Sequence, residues 1–556
     1  MRKCKKMTAG LLVVALGVTL LAPVEADAAK KPSLSKKKLT LTLDGKKTAT
    51  LKVKKATKAK ISWKSSKKKV ATVKKTGKYA AKVTAKKAGK ATITCTVKKN
   101  GKKTKLTCKV TVKNAQLVAP SQSPEVTVVP SATPVVTATP APTVAPTVAP
   151  TPEVRNPQSI LEAYKDIFPY MGNCVNYHNG QLNDEETLAH VKKHYNSITL
   201  ENEMKPDTIL GGTVATITKE EAEELGYVIP ESYKEDTVPK LNFQSSDAAL
   251  QVAYDNGLKM RGHTLQWHSQ TPQWFFTENY EGTTVVSEEV MDARIEFYVA
   301  TVLDHFFKKE IEIAGEAGSI IYAWDITNEY LHRHFAGYGT KTWTSVYGDL
   351  DLEPTYVKKA YEVAYRQLEV YNVVDKVTLF YNDFDTYFEA EDVVGLVEYI
   401  NEGATDKDGN PVKICGGIGM QSHVDVDRPT IEEYAEALDM FLATGLEVQI
   451  TELDMTINWD HTSSYTYEDE EQTHEDQAAF ARDFMNMVVL KQKNRDKNVS
   501  PKGITGLTIW GLSDSVSWRG AYQNGGDSEP TLFGDSIHDP KPSYTEFIKA
   551  SDLWYN

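Results

Sequence analysis

Beyond residue 29, the sequence lacks any apolar run long enough to cross a membrane. The apolar run near the start, from Ala9 to Ala22, is itself too short for a span, and basic residues precede it. Ala26-Asp27-Ala28 follows with the small residues that a signal peptidase accepts. Residues 1–29 are therefore predicted to be a secretory signal, with an N-terminal membrane anchor as the alternative. The mature protein is expected to be extracellular and without a transmembrane segment.

Cysteine is scarce, and the five that are present leave little scope for a disulfide framework. Cys4 lies in the predicted signal segment. Cys95 and Cys108 fall on one face of a predicted hairpin, diagonal rather than opposite, which leaves a disulfide between them open. Cys174 and Cys415 lie in separate strand-like runs, and we expect both to be free thiols.

Acidic residues are nearly absent from residues 30–114, where about thirty lysines accompany a single acid, Asp44. The whole chain has a net charge of −9, so residues 158–556 carry about −39. The field around so many lysines attracts anionic polymers such as those of a cell wall, although lysines can also serve only to solvate a surface. No nucleic-acid partner is expected.

Within this lysine-rich part, β-branched or apolar residues occupy every second place in runs such as ATLKVK (49–54) and KLTCKVTV (105–112). Asn100-Gly101 is a strong signal for a hairpin turn. The pattern predicts a small antiparallel β-sandwich with apolar side chains inside. ISWKSSKKKVATV (61–73) and VTAKKAGKATIT (83–94) resemble bacterial immunoglobulin-like domains of the type-2 group. That resemblance implies a spacer or wall-attachment module rather than a catalytic one.

Charge and regular alternation both disappear between residues 115 and 157, where proline, threonine, valine and alanine dominate and APTV repeats. Frequent prolines remove backbone donors and favour an extended polyproline conformation. We interpret residues 115–157 as a semi-rigid linker between the lysine-rich module, residues 30–114, and a second domain, residues 158–556.

The second domain contains eight short apolar runs, separated by segments long enough to form helices. The runs span residues 170–176, 197–202, 259–267, 320–329, 376–383, 413–423, 446–454 and 504–511. This arrangement predicts an α/β fold, the (β/α)8 or TIM barrel. A doubly wound open sheet is the competing fold, but no glycine-rich phosphate loop follows the first run.

Nearly every run is apolar until its carboxyl end and then presents polar or aromatic residues. In a barrel these ends meet on one face, so the residues are expected to converge on one cleft. They include Glu201, Asn202, His263, Trp267, Asn328, Glu329, Asn382, Asp383, Gln421, His423, Glu452, Asp454 and Trp510. A single carboxylate of this kind is more often a helix cap or an ion-pair partner, but agreement among seven of the eight ends favours a site.

Two of these residues, Glu329 and Glu452, end the fourth and seventh runs, which face one another across the mouth of a barrel. Cleavage of a glycosidic bond needs one carboxylic acid to protonate the leaving oxygen and one carboxylate at the anomeric carbon. A separation of about 5 to 5.5 Å between them allows retention of configuration through a covalent glycosyl-enzyme. The pattern permits this distance without fixing it.

Seven motifs of the second domain resemble, in order along the chain, those of family 10 glycoside hydrolases, the xylanase family. They are ENEMK (201–205), RGHTLQWHSQ (261–270), WDITNE (324–329), YND (381–383), GIGMQSH (417–423), ITELD (450–454) and IWGLSDSVSW (509–518). The resemblance covers residues 160–548 and implies an endo-β-1,4-xylanase that acts on xylan or xylo-oligosaccharides, with no cofactor and no metal. A barrel that only binds glycans, and a hydrolase of cellulose or another β-glucan, are the alternatives.

By the same resemblance, Glu329 would be the acid/base and Glu452 the nucleophile. Asn328 would bind the substrate 2-hydroxyl, an interaction expected to strengthen in the transition state. His423 would lie between Glu452 and Asp454 and hold the nucleophile ionised. These five residues form the expected catalytic group.

The resemblance also implies how sugars would be held. Tryptophan rings would pack against the C–H faces of the pyranoses, and charged or amide groups would bind the hydroxyls. His263 would pair with Asp325 beneath the bound sugar. The residues expected to contact substrate are Glu201, Asn202, Lys205, His263, Trp267, Gln270, Gln421, Trp510 and Trp518.

Two segments of the second domain, residues 206–240 and 467–477, lie outside the seven motifs. An insertion at about residues 206–240 departs from the common family pattern and follows the second run. It is expected on the face that carries the site, where it either reshapes one end of the cleft or forms a surface excursion. The acidic run at residues 467–477 is expected to begin a helix rather than to bind a metal.

Overall fold

The computed structural model describes residues 32–43, 47–54, 59–76, 78–99, 102–113, 155–334, 341–457, 470–519 and 528–556. The predicted signal segment at 1–29 lies outside these residues, and so do residues 115–154 of the predicted linker at 115–157. The chain divides into two compact units, Met1–Pro146 and Thr147–Asn556. Within the described residues, no helix combines the length and the apolar composition that crossing a bilayer requires.

The first unit is a β-sandwich of two four-stranded sheets, as the sequence pattern predicts. Its strands are β1 (Ser33–Leu34), β2 (Lys38–Thr42), β3 (Thr48–Lys54), β4 (Lys60–Ser65), β5 (Ala71–Lys75), β6 (Ala80–Ala85), β7 (Gly89–Lys99) and β8 (Lys102–Lys113). One sheet has the order β1-β3-β6-β5 and the other the order β2-β8-β7-β4. Buried apolar residues alternate with more exposed polar ones along β7 and β8, so each sheet turns one face to a shared core.

The prediction of a purely antiparallel sandwich is wrong in one pairing, because β2 runs parallel to β8. The chain passes from β2 to β3 in the other sheet, so no hairpin dictates the direction of β2. β7 and β8 form the predicted hairpin, whose turn residues Asn100 and Gly101 lie outside the described residues. Cys95 and Cys108 occupy diagonal positions in this hairpin, and both are buried free thiols, as are Cys174 and Cys415 in the second unit.

The second unit is a closed barrel of eight parallel strands with helices around it, which confirms the predicted fold. The strands of this unit are β9 (Tyr170–Val175), β10 (Ser197–Leu200), β11 (Thr216–Thr218), β12 (Thr237–Pro239), β13 (Lys259–Trp267), β14 (Ile321–Asn328), β15 (Thr378–Asp383), β16 (Gly417–Met420), β17 (His423–Asp425), β18 (Glu447–Thr456) and β19 (Ile504–Ile509). The barrel order is β9-β10-β13-β14-β15-β16-β18-β19, and β19 pairs with β9 to close it.

Barrel strands are buried on both faces, because inward side chains fill the barrel and outward ones meet the helices. All residues of β14 are buried, including Trp324 at its centre. The run predicted at residues 413–423 is longer than the strand found, since β16 covers only its middle. Ser422, in the left-handed backbone region at φ 63°, separates β16 from the short β17.

The helices lie between the strands in the alternation that the (β/α)8 fold requires. They are α1 (Ile160–Tyr164), α2 (Glu185–His194), α3 (Pro206–Ile209), α4 (Lys219–Glu224), α5 (Gln244–Asp255), α6 (Glu288–Ala314), α7 (Trp343–Tyr347), α8 (Thr355–Val370), α9 (Ala390–Asn401), α10 (Ile431–Ala443), α11 (Glu470–Asn494), α12 (Pro542–Lys549) and α13 (Asp552–Tyr555). α11 begins inside the predicted acidic run, whose first residues, 467–469, lie outside the described part of the chain.

The insertion at residues 206–240 folds into α3, β11, α4 and β12, with β11 and β12 paired. It packs against α6, where the backbone N–H of Val228 donates to the hydroxyl of Thr301 at 3.1 Å. Its Gly212 and Val214 also line the cleft described below. The insertion therefore packs on the surface of the barrel domain against α6, and it also forms part of one wall of the cleft.

Arg294 of α6 joins the insertion to the loop that follows β13. Its buried guanidinium pairs with Glu235 of the insertion, with Nε at 2.7 Å from the carboxylate. Its Nη1 donates to the carbonyl oxygens of Phe275 and Thr277 at 2.6 and 3.0 Å. One buried cation thus fixes the insertion and residues 273–282, which form a wall of the cleft, to each other.

Arg294→Leu is expected to lower the free energy of unfolding by about 3 kcal/mol, because Glu235 and two carbonyl oxygens lose their donor. The matched control is Arg366→Leu, whose pair with Glu296 spans 3.5 Å and leaves 53% of the arginine side chain exposed. The control should change the free energy by less than about 1 kcal/mol. Equilibrium denaturation measures both. Equal losses in the two variants would contradict the bracing role of Arg294.

Candidate active site

The carboxyl ends of the barrel strands surround one large cleft with a volume of about 2320 Å³. Of the fourteen site residues predicted from the sequence, thirteen line it: Glu201, Asn202, Lys205, His263, Trp267, Gln270, Asn328, Glu329, Gln421, His423, Glu452, Trp510 and Trp518. The fourteenth, Asp454, has no exposed surface and lies in contact with His423, behind the cleft wall. The strand ends therefore converge as the barrel topology requires.

Glu329 follows the last residue of β14, and its side chain lines the cleft. Its backbone lies in the left-handed region at φ 57° and ψ 38°, a strained conformation for a residue with a Cβ atom. The indole N–H of Trp267 donates to Oε2 at 2.9 Å, and the Gln421 amide donates to Oε1 at 3.0 Å. The carboxyl group is thus oriented by neutral donors.

Glu452 of β18 lies next to a series of charged side chains. Its Oε2 lies 3.3 Å from Nε2 of His423, whose Nδ1 lies 2.8 Å from Oδ2 of Asp454. Arg519 Nη2 lies 3.0 Å from the other oxygen of Asp454, and the indole of Trp518 donates to Oδ2 at 3.0 Å. The predicted position of His423 between the two carboxylates is confirmed. Charges of alternating sign therefore run from the cleft into the buried wall.

A network of side-chain amides joins the surroundings of the two glutamates. Asn382 Nδ2 donates to Oε1 of Glu452 at 2.7 Å and to Oδ1 of Asn328 at 2.9 Å. Gln421 Nε2 donates to the same oxygen of Asn328 at 3.1 Å and also reaches Glu329. The relative positions of the two carboxyl groups are therefore set by three amides.

Gly419 of β16 makes room for this network. A Cβ atom at this position would lie 2.4 Å from Oδ1 of Asn382. That oxygen accepts a hydrogen bond of 2.6 Å from the hydroxyl of Thr451, so the amide has little freedom to move aside. The second glycine of the GIGMQSH motif is therefore a steric requirement of the site.

His263 lines the cleft beside the glutamates and is held by a buried ion pair. Its Nδ1 lies 2.9 Å from Oδ2 of Asp325, which confirms the pairing predicted from the sequence. Arg261 binds both oxygens of the same carboxylate at 3.1 and 2.6 Å. The ring of Trp510 meets the imidazole edge to face, with ring centres 5.6 Å apart. Asp325 thus sets the orientation of a ring that faces the cleft.

The protonation states of the two glutamates differ because their partners differ. Burial and the negative charge of Asp383 raise the pKa of Glu329 to about 7. Burial also acts to raise the pKa of Glu452, but the hydrogen bond from His423 and nearby positive charges outweigh it and hold that pKa below its ordinary value. Burial acts to lower the pKa of His423, yet Asp454 raises it to about 9. Near neutral pH, the cleft therefore holds one carboxyl group that can carry a proton and one that is ionised.

One part of the cleft wall is formed by the ENEMK motif and the loop after β13. Lys205 Nζ lies 4.9 Å from the centre of the Trp267 ring. Gln270 Nε2 donates to Oδ2 of Asp207 at 3.0 Å and to Oδ1 of Asn202 at 3.4 Å. The charged and amide groups in this part of the wall are therefore held in position by one another.

A second part of the cleft wall, formed by residues after β15, is aromatic, and none of the motifs quoted above predicts it. Phe384, Tyr387 and Phe388 follow β15 and line the cleft. The imidazole of His332 stacks on Phe384 with ring centres 3.6 Å apart, and the guanidinium of Arg428 lies 4.8 Å from the centre of Phe388. The letters FDTYF directly after the YND motif are the signal that could have revealed these rings.

Two further contacts also escape the sequence analysis. The sequence places Asn382 at a strand end without assigning it a partner, and the structure shows its bond to Glu452. Arg519, which pairs with Asp454, lies one residue beyond the IWGLSDSVSW motif, and that adjacency is its only sequence signal. Among the described residues, no group of three or more histidine, cysteine, aspartate or glutamate side chains is arranged to hold a metal ion.

Comparison with known proteins identifies relatives of both units. The family model described as Glycosyl hydrolase family 10 matches residues 159–550, and the one described as Bacterial Ig-like domain (group 2) matches residues 30–108.

The chain is 42% identical over 395 residues to Endo-1,4-beta-xylanase A of Butyrivibrio fibrisolvens, a match that covers 70% of this chain and 84% of that protein. It is 32% identical over 375 residues to Endo-1,4-beta-xylanase B of the same organism, covering 66% of this chain and 50% of that protein. The chain thus spans most of the first relative and half of the second.

A solved structure shares the fold over most of the chain. It contains the CBM22-1 and GH10 modules of the N-terminal endo-1,4-beta-D-xylanase 10B of Clostridium thermocellum, complexed with xylohexaose. The match has a TM-score of 0.53 and 25% sequence identity, and it covers 74% of this chain and 70% of that one.

Proposed function

Because the chain belongs to glycosyl hydrolase family 10, we propose that it is an endo-β-1,4-xylanase that cleaves internal linkages of xylan with retention of anomeric configuration. The proposal depends above all on the pair of buried carboxyl groups in opposite states. The pKa of Glu329 is raised to about 7, and that of Glu452 lies below its ordinary value. Retaining glycosidases need one proton donor and one ionised nucleophile. The relatives named as xylanases support xylan as the substrate.

In the first step, the ionised Glu452 attacks the anomeric carbon and forms an ester with it while the bond to the leaving oxygen breaks. Glu329 gives its proton to that oxygen, so the leaving chain departs as a neutral alcohol. His423, held charged by Asp454, keeps Glu452 ionised in the pH range where Glu329 is still protonated. Asn382 orients the nucleophile through its hydrogen bond of 2.7 Å.

In the second step, Glu329 is a carboxylate and takes a proton from a water molecule that attacks the anomeric carbon. The ester bond to Glu452 breaks, and this second inversion restores the original configuration. The donors from Trp267 and Gln421 stabilise the carboxylate form of Glu329 between the two steps. Asn328 would bind the 2-hydroxyl of the reacting sugar, an interaction that strengthens in the transition state.

The rest of the cleft would position a chain of sugars around the reacting bond. The rings of Trp267, Trp510 and Trp518 suit the C–H faces of pyranoses. The groups proposed to bind hydroxyls are Glu201, Asn202, Lys205, His263, Gln270 and Gln421. The aromatic wall after β15 would serve the sugars of the leaving chain.

We also propose that the protein is exported. The support is the sequence of residues 1–29, in which basic residues precede a short apolar run and small residues suit cleavage. Xylan is a polymer too large to enter a cell intact, so its hydrolysis begins outside.

Release of reducing sugars from xylan and from carboxymethylcellulose tests the proposed activity. We expect rapid release from xylan, little from carboxymethylcellulose, and none from either with Glu452→Ala as the control for contaminating enzymes. Equal rates on the two polymers would favour a β-glucanase. Binding of xylan without release of sugar would favour a barrel that only binds glycans.

Azide distinguishes the roles of the two glutamates. Glu452→Ala should lower kcat on every substrate by roughly 10⁴-fold or more, because no nucleophile remains. Glu329→Ala should retain the first step on aryl xylobiosides with good leaving groups, which need no proton, and azide should intercept the intermediate as a β-glycosyl azide. An α-azide from Glu329→Ala, or no azide product from that variant, would contradict the retaining mechanism.

The pH profile of kcat/KM should be bell-shaped. Activity should fall at low pH as Glu452 gains a proton, and at high pH as Glu329 loses its proton near pH 7. Asp383→Asn should move the alkaline limb to lower pH, because the charge of Asp383 helps to raise the pKa of Glu329. Asp385→Asn, which removes a charge two residues away, should leave that limb in place. An alkaline limb that shifts equally in both variants, or in neither, would refute the effect of Asp383.

A further inference from the structure

The outer surface of the sheet β2-β8-β7-β4 carries nine exposed lysines, named here the lysine face. Because side chains alternate along a strand, every second residue points away from the sandwich core. The exposed outward lysines are Lys38, Lys60, Lys64, Lys90, Lys98, Lys103, Lys105, Lys109 and Lys113. The other outward positions of the described sheet hold threonine or serine, namely Thr40, Ser62, Thr92, Thr94, Thr96, Thr107 and Thr111.

Strand register places several of these lysines directly opposite one another. Lys98 lies opposite Lys60 on one side and Lys103 on the other. Lys38 lies opposite Lys109 across β2 and β8. Like charges at opposite positions destabilise a sheet. These lysines therefore weaken the sheet that carries them, which points to a use outside the fold.

Among the described residues of its own module, the lysine face has no acidic side chain with which to pair. Residues 30–114 contain one acid, Asp44, which lies outside the described residues, and none of the nine lysines forms an ion pair with a described residue of its own unit. Lysines at directly opposite positions of neighbouring strands are about 5 Å apart, and Lys103 and Lys105 are about 7 Å apart along β8. Threonine or serine positions separate the other lysines. Counter-charges for so dense an array must come from solution or from a partner.

We propose that the lysine face binds a phosphodiester polymer of the cell envelope, of the teichoic-acid type, and thereby holds the enzyme at the cell surface. Such a polymer carries a negative charge in every repeat unit, which suits closely spaced lysines. A xylan with uronic acid branches carries a charge on only some of its sugars and suits them less. The proposal adds to the catalytic function, but it rests on the proposed export, which brings the module to the envelope.

The composition of the lysine face indicates that it binds a polymer through charge and does not read the sequence of a nucleic acid. Arginine, whose planar fork binds carboxylates and phosphates through two hydrogen bonds, is absent from residues 30–114, so the face offers only the point charges of lysine. Among the outward residues of the described sheet there is no aromatic ring, so nucleic-acid bases have no surface on which to stack. Binding should therefore depend steeply on salt, because each contact releases a counter-ion from the polymer.

Binding of the full-length protein to immobilised poly(glycerol phosphate) at 0.1 M and 1 M NaCl tests the proposal. We expect binding at 0.1 M that weakens by more than about 100-fold at 1 M. Replacement of Lys98, Lys103 and Lys105 by glutamine should weaken binding at 0.1 M by roughly tenfold or more, since three counter-ion releases are lost. The module should unfold at the same temperature or a higher one, because like charges at opposite positions are removed. Hydrolysis of soluble xylan should be unchanged, which separates this test from that of the catalytic function.

The matched control replaces Lys52, Lys54 and Lys74, exposed lysines of the opposite sheet, by glutamine. It removes the same charge from the same module and should weaken binding by less than about threefold. No binding at 0.1 M would overturn the proposal, and so would equal losses in the two triple variants. Tighter binding to glucuronoxylan or to DNA than to poly(glycerol phosphate) would overturn it in favour of those polymers.

Discussion

The burial of two carboxyl groups beside different partners is the constraint on which the active site depends. A buried carboxylate is unfavourable unless charge or hydrogen bonds compensate it. Glu452 receives a hydrogen bond from a charged imidazole, so it stays ionised. Glu329 receives neutral donors and has Asp383 nearby, so it keeps a proton up to about pH 7. The barrel brings the two environments to one face, and the pair can then act as nucleophile and acid.

The groups that serve Glu452 are buried as well and need compensation of their own. Asp454 neutralises His423 and is itself paired with Arg519 and bonded to the indole of Trp518. Loss of one member would leave a buried charge without its partner, so the network behaves as a unit. Because these dipoles and charges are already in place, they need not reorganise as charge moves during the reaction.

The sequence predicts the barrel and the location of its cleft because both follow from topology: polar residues at the carboxyl ends of parallel strands must meet on one face. Contacts that depend on loop conformation are not accessible in this way. The aromatic wall at Phe384 is of this kind, because it follows β15 along a backbone path that no periodicity encodes. The bond from Asn382 to Glu452 joins β15 and β18, which are not neighbours in the barrel, so strand pairing alone does not predict it. The raised pKa of Glu329 depends on burial and on its distance from Asp383, so only the structure reveals it. The direction of β2 escaped prediction because no hairpin connects it to its neighbour.

The covalent intermediate is the central claim, and trapping it tests that claim most directly. A 2-deoxy-2-fluoro-β-xylobioside with a good leaving group should react once and then turn over slowly, because fluorine destabilises both transition states while the leaving group accelerates the first step. Mass spectrometry of the digested protein should then place one fluorosugar on the peptide that contains Glu452, and Glu452→Ala should remain unlabelled. A label on the peptide of Glu329, or inactivation without any covalent adduct, would contradict the account.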